Sequence, residues 1–292
     1  MQIAQDLIQK EQEIAPYAYT QAGGVADYLA IPTSIAELTA LLDWAKHESL
    51  PVHVFGRLSN LVVRSGGLRG LVILTTELKA VQQENNQLLA QAGCDIIWLA
   101  ALARDKSLTG LEWSAGIPGS VGGAVFMNAG AYGGQADMVV SSVLAVMPDL
   151  SLKTFTKDEL EFGYRHSVFQ ENGGVIVQAT FDLAPGDQQA IQEKMDQVNL
   201  ARANKQPLSC PSNGSVFKRP TGYFAGKLIM DAGLQGTRVG GVEVSKKHAG
   251  FMVNMDQGTG NDYEDLIHLV QEKVFEEYHV RLEPEVRILG DR

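Results

Sequence analysis

From Ile35 to Ala45 the apolar residues fall at Ile35, Leu38, Leu41, Leu42 and Ala45, a spacing of three and four that lines one face of a helix. Ser34 followed by Glu37 forms a capping box ahead of that face, so an amphipathic helix is predicted to start at Ser34. The period then changes. Pro51 opens VHVFG, and after the turn GRLSN come LVVRS and GLVILTT, short β-branched runs that read as strands. A hairpin is expected around Asn85 and Asn86, followed by a helix from Asp95 to Arg104. Strand patterns return in MVVSSVLAVM, SLKTFT and GGVIVQATFDL. Pro185 and Gly186 mark a boundary before a polar helix from Asp187 to Lys205. Beyond it lie strand runs at Thr237 to Val244 and Phe251 to Val253. A long helix with Tyr263, Leu266, Ile267, Val270, Val274 and Phe275 on one face follows, and VRLEPEVRILG reads as a final strand. No internal repeat is present, and the pattern is that of small α+β units in series.

One stretch carries no period. Leu111 to Gly134, LEWSAGIPGSVGGAVFMNAGAYGG, is dense in glycine and small residues, which let the backbone approach a ligand and offer free amides to a phosphate or a flat ring. A loop this long inside a compact domain is usually functional, and without a period it is not expected to join the core. Ser120, Asn128 and Tyr132 add polar groups among the glycines. The turn GRLSN, Gly56 to Asn60, lies between two strand runs and is expected to expose backbone amides as a second, smaller anion nest.

Composition narrows the class. The chain has 292 residues, 45% hydrophobic and 20% charged, as in ordinary globular proteins, and its length allows two or three domains. No apolar run approaches the roughly 20 residues that span a bilayer, and the N-terminus MQIAQDLIQKEQEI is amphipathic and acidic, so a cytoplasmic protein without membrane attachment is expected. Cys94 and Cys210 have neither CxxC nor metal-ligand spacing and read as reduced thiols. The six histidines show no HExxH, so no metal is expected. A net charge of −10 argues against nucleic acid, while an anionic small molecule can still bind at a local basic site. Lysines and arginines gather in the C-terminal third, among them Lys205, Lys218 and Arg219.

Three familiar motifs fail. TGYFAGKL is one residue short of a P-loop and has Leu228 where Ser or Thr would ligate magnesium; Pro118 breaks the GxSxG of a nucleophile elbow; and no GxGxxG joins a strand to a helix.

Taken in order, TQAGGVADYL, GRLSN, GIPGSVGGAVFMNAGAYGG, YRHSVF, KQPLSCPSNGSVFKRP, GYFAGKLIMDAGLQG, VGGVEVSKKHAGFMVN and LEPEVRILG resemble the UDP-N-acetylenolpyruvoylglucosamine reductases (UDP-N-acetylmuramate dehydrogenases, MurB) over nearly the whole chain. The resemblance implies an α+β chain with an FAD-binding fold of the PCMH or vanillyl-alcohol-oxidase type in two subdomains, 1–76, joined by the terminal strand 281–292, and 77–188. A C-terminal α+β substrate-binding domain follows at 189–280. It implies FAD as bound cofactor, NADPH as hydride donor and a UDP-sugar enolpyruvyl ether as substrate, the product being a peptidoglycan precursor. Flavin contacts are implied at Gly56, Arg57, Leu58, Ser59 and Asn60, and at Gly116, Ile117, Pro118, Gly119, Ser120, Gly122, Gly123, Asn128 and Gly130. The patterns YRxS, GSxFK and ExEVR place the catalytic groups at Arg165, Ser215 and Glu285, and Lys205, Lys218 and Arg219 are implied partners of the diphosphate. Only a short stretch follows YRHSVF before the next strand, as in the shorter family type that lacks a tyrosine-bearing loop. A monomer is expected, with an oligomer left open.

Two departures matter. Many family members carry Asn where this chain has Arg219, and the second glycine of GxGSN is here Leu58. If that position needs a positive φ, leucine is expected to strain it by about 1–3 kcal/mol, and Leu58→Gly to tighten FAD binding. The alternatives are another PCMH-type flavin oxidase, against which GSVFKRP and LEPEVR speak, and a non-catalytic UDP-sugar or flavin sensor.

Overall fold

The computed structural model describes residues 6–292, so residues 1–5 of the N-terminal stretch read as amphipathic lie outside the described residues. The chain divides into two compact units. The first comprises Leu29–Arg57 and Gly70–Ala201 with the N-terminal stretch through Gln9; the second comprises Lys10–Tyr28, Leu58–Arg69 and Arg202–Arg292.

In the first unit, helix α1 (Ile35–His47) buries Leu38, Leu41, Trp44 and Ala45 and is capped by Ser34, whose hydroxyl accepts from the Glu37 amide at 3.2 Å. The Glu37 carboxylate reaches one residue further back than a capping box requires, accepting from the Thr33 amide at 2.6 Å. That bond holds the carboxyl below the usual range of glutamate. Strand β1 (Val52–Phe55) pairs in parallel with β2 (Leu68–Leu74). Five further strands, β3 (Val81–Glu84), β4 (Gln87–Gln91), β5 (Val140–Val146), β6 (Leu152–Thr156) and β7 (Val175–Asp182), form an antiparallel sheet of order β6-β5-β7-β4-β3. The turn between β3 and β4 is at Asn85 and Asn86, with Asn85 left-handed at φ 54. Leu88, Ala90, Val143, Ala145 and Phe181 of this sheet share one core with Ile96, Leu99, Ala100 and Ala103 of α2 (Ile96–Asp105). Packing against that sheet buries Cys94 and pushes its thiol up to about 12, so it is an inert core residue.

The glycine-rich stretch departs from its reading. It contains a short helix, α3 (Val121–Phe126), and Leu111, Trp113, Val121, Ala124 and Val125 belong to the core of the first unit. Six helical residues span too few turns to display a period, which is why the sequence conceals it. The polar helix follows as α4 (Gln188–Lys205).

In the second unit, β8 (Ser212–Ser215), β9 (Arg238–Val239), β10 (Val242–Val244) and β11 (Phe251–Asn254) form an antiparallel sheet of order β8-β11-β10-β9. The run Thr237 to Val244, read as one strand, is thus a hairpin. Helices α5 (Ala225–Asp231) and α6 (Gly260–Tyr278) share its core through Leu228, Ile229, Tyr263, Leu266, Ile267, Val270 and Val274. Phe275, assigned to that buried face, is 38% exposed and lies edge-on to His279 beyond it. The final strand is shorter than read. Only β12 (Arg287–Leu289) forms, pairing in parallel with the strand Leu61–Val63.

Arg64 anchors this pairing. Its guanidinium donates to both oxygens of Glu264 on α6, at 2.8 and 2.7 Å, and to the Gly290 carbonyl at 2.7 Å. The fork holds the Glu264 carboxyl below its ordinary value, and that side chain is 8% exposed. Arg64→Ala strands a buried carboxylate, and we expect urea denaturation to show a loss of about 3 kcal/mol. The same linkage makes the pair's contribution complete above the ordinary carboxylate range and lost on acidification.

Candidate active site

In the first unit, Gly56 and the GIPGS segment abut. A Cβ on Gly56 would stand 2.0 Å from the Ser120 Oγ, so only glycine allows the two to meet. Ser120 itself caps α3, accepting from the Gly123 amide at 3.2 Å. Ile96 donates to the Gly119 carbonyl at 3.2 Å, while Val121 and Gly122 donate to the carbonyls of Cys94 and Ala92, each at 2.8 Å. A Cβ on Gly122 would lie 2.9 Å from that of Ala92. Many amides of the stretch, among them those of Ile117, Val121, Gly122, Gly123, Ala124 and Asn128, are therefore bonded inside the protein, so that only part of its backbone offers free amides to a ligand. Arg57 forms an ion pair of 3.0 Å with Asp95, which also caps α2 through the amides of Ile97 and Trp98.

Asn128 ties this stretch to the YRHSVF turn. It is 1% exposed and left-handed at φ 39. Its amide nitrogen donates to the Gly163 carbonyl at 2.9 Å and its amide oxygen accepts from the Asp137 backbone at 3.0 Å. Ser167 and Gln170 donate to the Phe126 carbonyl at the end of α3, at 2.8 and 2.9 Å. Thus fixed, half-buried Arg165 adopts φ 58, donates from Nη2 to the Gly130 carbonyl at 3.1 Å and lies over the Tyr164 ring. Asn128, Gly130 and Arg165, distant in sequence, are thereby brought together.

In the second unit, the parallel pairing of Leu61–Val63 with β12 carries Asn60 to Glu285. Asn60 Nδ2 donates to the Glu285 carbonyl at 3.3 Å, and Arg287 donates its amide to the Asn60 carbonyl at 3.1 Å. Glu285 in turn donates its amide to Val216 at 2.7 Å, and Lys218 to the Glu283 carbonyl at 2.9 Å. Ser215 therefore adjoins the backbone segment that carries Glu285. Ser215 is exposed and Glu285 half-buried. Lys218 pairs with the Glu283 carboxylate, while the Arg219 guanidinium lies 4.0 Å from the centre of the exposed Phe224 ring. Lys205, at the end of α4, is exposed.

A family profile described as the C-terminal domain of UDP-N-acetylenolpyruvoylglucosamine reductase matches residues 206–289, and one described as an FAD binding domain matches 26–155. The UDP-N-acetylenolpyruvoylglucosamine reductase of Leuconostoc mesenteroides is 65% identical across the full length of both chains. The chain belongs to this reductase family. The Lactiplantibacillus plantarum enzyme of the same name is 54% identical over 97% of this chain and 94% of its own. The crystal structure of the reductase (MurB) from Thermus caldophilus has a TM-score of 0.85 at 31% identity, covering 97% of this chain and all of that one.

Leu58 stands where the resemblance leads one to expect the second glycine of GxGSN. Its φ is 48, so the position is left-handed as the substitution for glycine implied. Its side chain, however, is 3% exposed. Leu58→Gly relieves roughly 1–2 kcal/mol of backbone strain but removes a buried leucine worth about 2–5 kcal/mol. A lower melting temperature is the expected outcome for the fold, while the dissociation constant of FAD reads separately whether relief of the strain tightens binding.

Asp95, which holds Arg57, is legible in the sequence only as a helix start, because nothing local encodes its pairing across 38 residues.

Proposed function

We propose that the chain carries out the family reaction through Arg165, Ser215 and Glu285. It is an FAD-dependent oxidoreductase of the UDP-N-acetylenolpyruvoylglucosamine reductase family. The observation that carries the cofactor assignment to individual residues is the Gly56–Ser120 approach, which a Cβ would prevent and which brings the GRLSN turn and the GIPGS segment together. The glycine-rich backbone around it, with Leu58 left-handed two residues beyond Gly56, fits a large planar, diphosphate-bearing group. Gly56, Arg57, Ser59 and Asn60, with Gly116 to Ser120, Gly123 and Gly130, would hold FAD. When bound, FAD carries hydride from NADPH to the methylene carbon of the enolpyruvyl ether.

The chain's own groups handle the charge and the proton. Hydride addition leaves an enolate-like dianion at the carboxylate-bearing carbon. The planar guanidinium of Arg165 offers that carboxylate two charge-assisted bonds. Its position is set by the Gly130 carbonyl and the Tyr164 ring rather than by the substrate, so little reorganisation is needed when charge develops. Ser215 delivers the proton to that carbon. Glu285 either orients a neighbour or, protonated, donates a bond itself. Lys205, Lys218 and Arg219 serve the diphosphate, and we assign 189–280 to substrate binding on this basis.

The described residues contain no helix long and apolar enough to cross a membrane. The test of the function is stoichiometric. NADPH oxidation should require the UDP-sugar enolpyruvyl ether and yield one equivalent of the reduced lactyl ether by mass spectrometry. Oxidation that depends on oxygen and leaves the ether intact would instead support an oxidase.

A further inference from the structure

We propose that His248 is a positioning residue for Ser215, acting as a neutral imidazole whose Nδ1 locks the turn against which Ser215 is laid. This rests on the assignment of Ser215 as proton donor. His248 is half-buried at the start of a tight turn, His248 to Phe251, closed by the Phe251 amide donating to the His248 carbonyl at 2.9 Å. Within it the Gly250 amide donates to His248 Nδ1 at 3.1 Å. That bond makes Nδ1 the acceptor, so the neutral ring carries its proton on Nε2.

The far side of the same turn holds the proton donor's strand. Ser215 pairs with Phe251, and Val216 donates to the Gly250 carbonyl at 2.9 Å. Gly250 is therefore gripped twice, by the imidazole through its N–H and by Val216 through its C=O. The packing is close. A Cβ on Gly250 would lie 3.0 Å from His248 Cε1, and a Cβ on Gly226 of α5 would lie 3.3 Å from the Gly250 nitrogen and 3.4 Å from the same ring carbon. The ring meets Phe251 edge-on at 5.0 Å, and the buried Ser245 hydroxyl accepts from the amides of Lys247 and His248.

Protonation would put an Nδ1–H opposite the Gly250 N–H at 3.1 Å, two donors facing each other. The surroundings resist it. Burial and the Lys205 ammonium on α4 lower the histidine below its ordinary value. Lys246 and Lys247 flank it, the Lys247 ammonium being engaged by the Ala203 carbonyl, and Lys227 of α5 is tied to Asp231. The turn is thus intact above the ordinary histidine range and opens as pH falls through the lowered value.

The experiment uses flavin-loaded full-length protein, wild type and His248→Asn, His248→Gln and His248→Ala. Asn can present its carboxamide oxygen where Nδ1 stands; Gln mimics Nε2 and cannot reach Gly250 without shifting. We expect the wild-type rate of flavin reoxidation by the UDP-sugar to show an acid limb with a midpoint below about 6.5. The Gly250 amide resonance of [15N]glycine-labelled protein should titrate with the same midpoint. His248→Asn should keep the rate within about threefold and lose the limb, while Gln and Ala lose about tenfold or more with NADPH reduction unchanged. An Ala variant matching wild type, an acid limb that survives in Asn, or a Gly250 resonance that does not titrate would each overturn the proposal. Should wild type fail to reduce the UDP-sugar, the functional reading falls, and the Gly250 titration alone still decides whether the lock exists.

Discussion

Ser215→Ala is expected to leave the reduction of bound flavin by NADPH at its wild-type rate and to slow reoxidation by the UDP-sugar by about 10² to 10⁴, the range a positioned general acid supplies. That loss corresponds to roughly 3–5 kcal/mol in the barrier. The two half-reactions separate the effect from damage to the fold, because only the second needs a proton at the carboxylate-bearing carbon. Ser215 is exposed at the end of β8, so truncating its hydroxyl should change stability by no more than about 0.5 kcal/mol. A serine is a poor acid in water, and its proton becomes available only as the dianion develops beside it. For that reason Ser215→Cys, with a larger sulfur in place of oxygen, should recover part of the lost rate. Rapid mixing of pre-reduced enzyme with the UDP-sugar reads both variants; a Ser215→Ala enzyme that reoxidises at the wild-type rate would remove Ser215 from the chemistry.

Arg165→Ala is expected to slow the same step by about 10² to 10³, the usual cost of removing one preorganised stabiliser of developing charge. Arg165→Lys should fall between, since an ammonium keeps the charge but loses the planar fork. The residue's φ of 58 supplies a control. Arg165→Gly relieves the left-handed strain of about 1 kcal/mol, so it should be as inactive as Ala yet no less stable. Equal kcat in Arg165→Lys and wild type would show that charge alone suffices and that the guanidinium geometry set by Gly130 is incidental.

Much of the scaffold was legible because its signals are local. The apolar spacing at Leu38, Leu41 and Ala45, the Ser34 cap and the Asn85–Asn86 turn each depend on neighbours within a few residues, and each gives the expected element. Non-local facts were not legible. The approach of Gly56 to Ser120 and the Asn60–Glu285 bond are made by chain segments far apart, and no propensity encodes them. The glycine-rich stretch misled in one respect. Its glycines are needed partly for packing, Gly122 against Ala92 and Gly134 against Trp113, not only for ligand approach. Leu58 shows the same limit from the other side. Its backbone conformation could be anticipated from the glycine that the resemblance leads one to expect there, but its burial could not. For the site, the residue types of Arg165, Ser215 and Glu285 could be read only as a combined pattern, because each alone is an ordinary polar residue.

The most direct test of the central claim follows the flavin absorbance band of purified protein under anaerobic conditions, first with NADPH and then with the UDP-N-acetylglucosamine enolpyruvyl ether. Bleaching by NADPH and full recovery on adding the UDP-sugar, with no oxygen present, is the predicted result. A band that bleaches but returns only when oxygen is admitted, or a protein that takes up no FAD when supplied with it, would contradict the account.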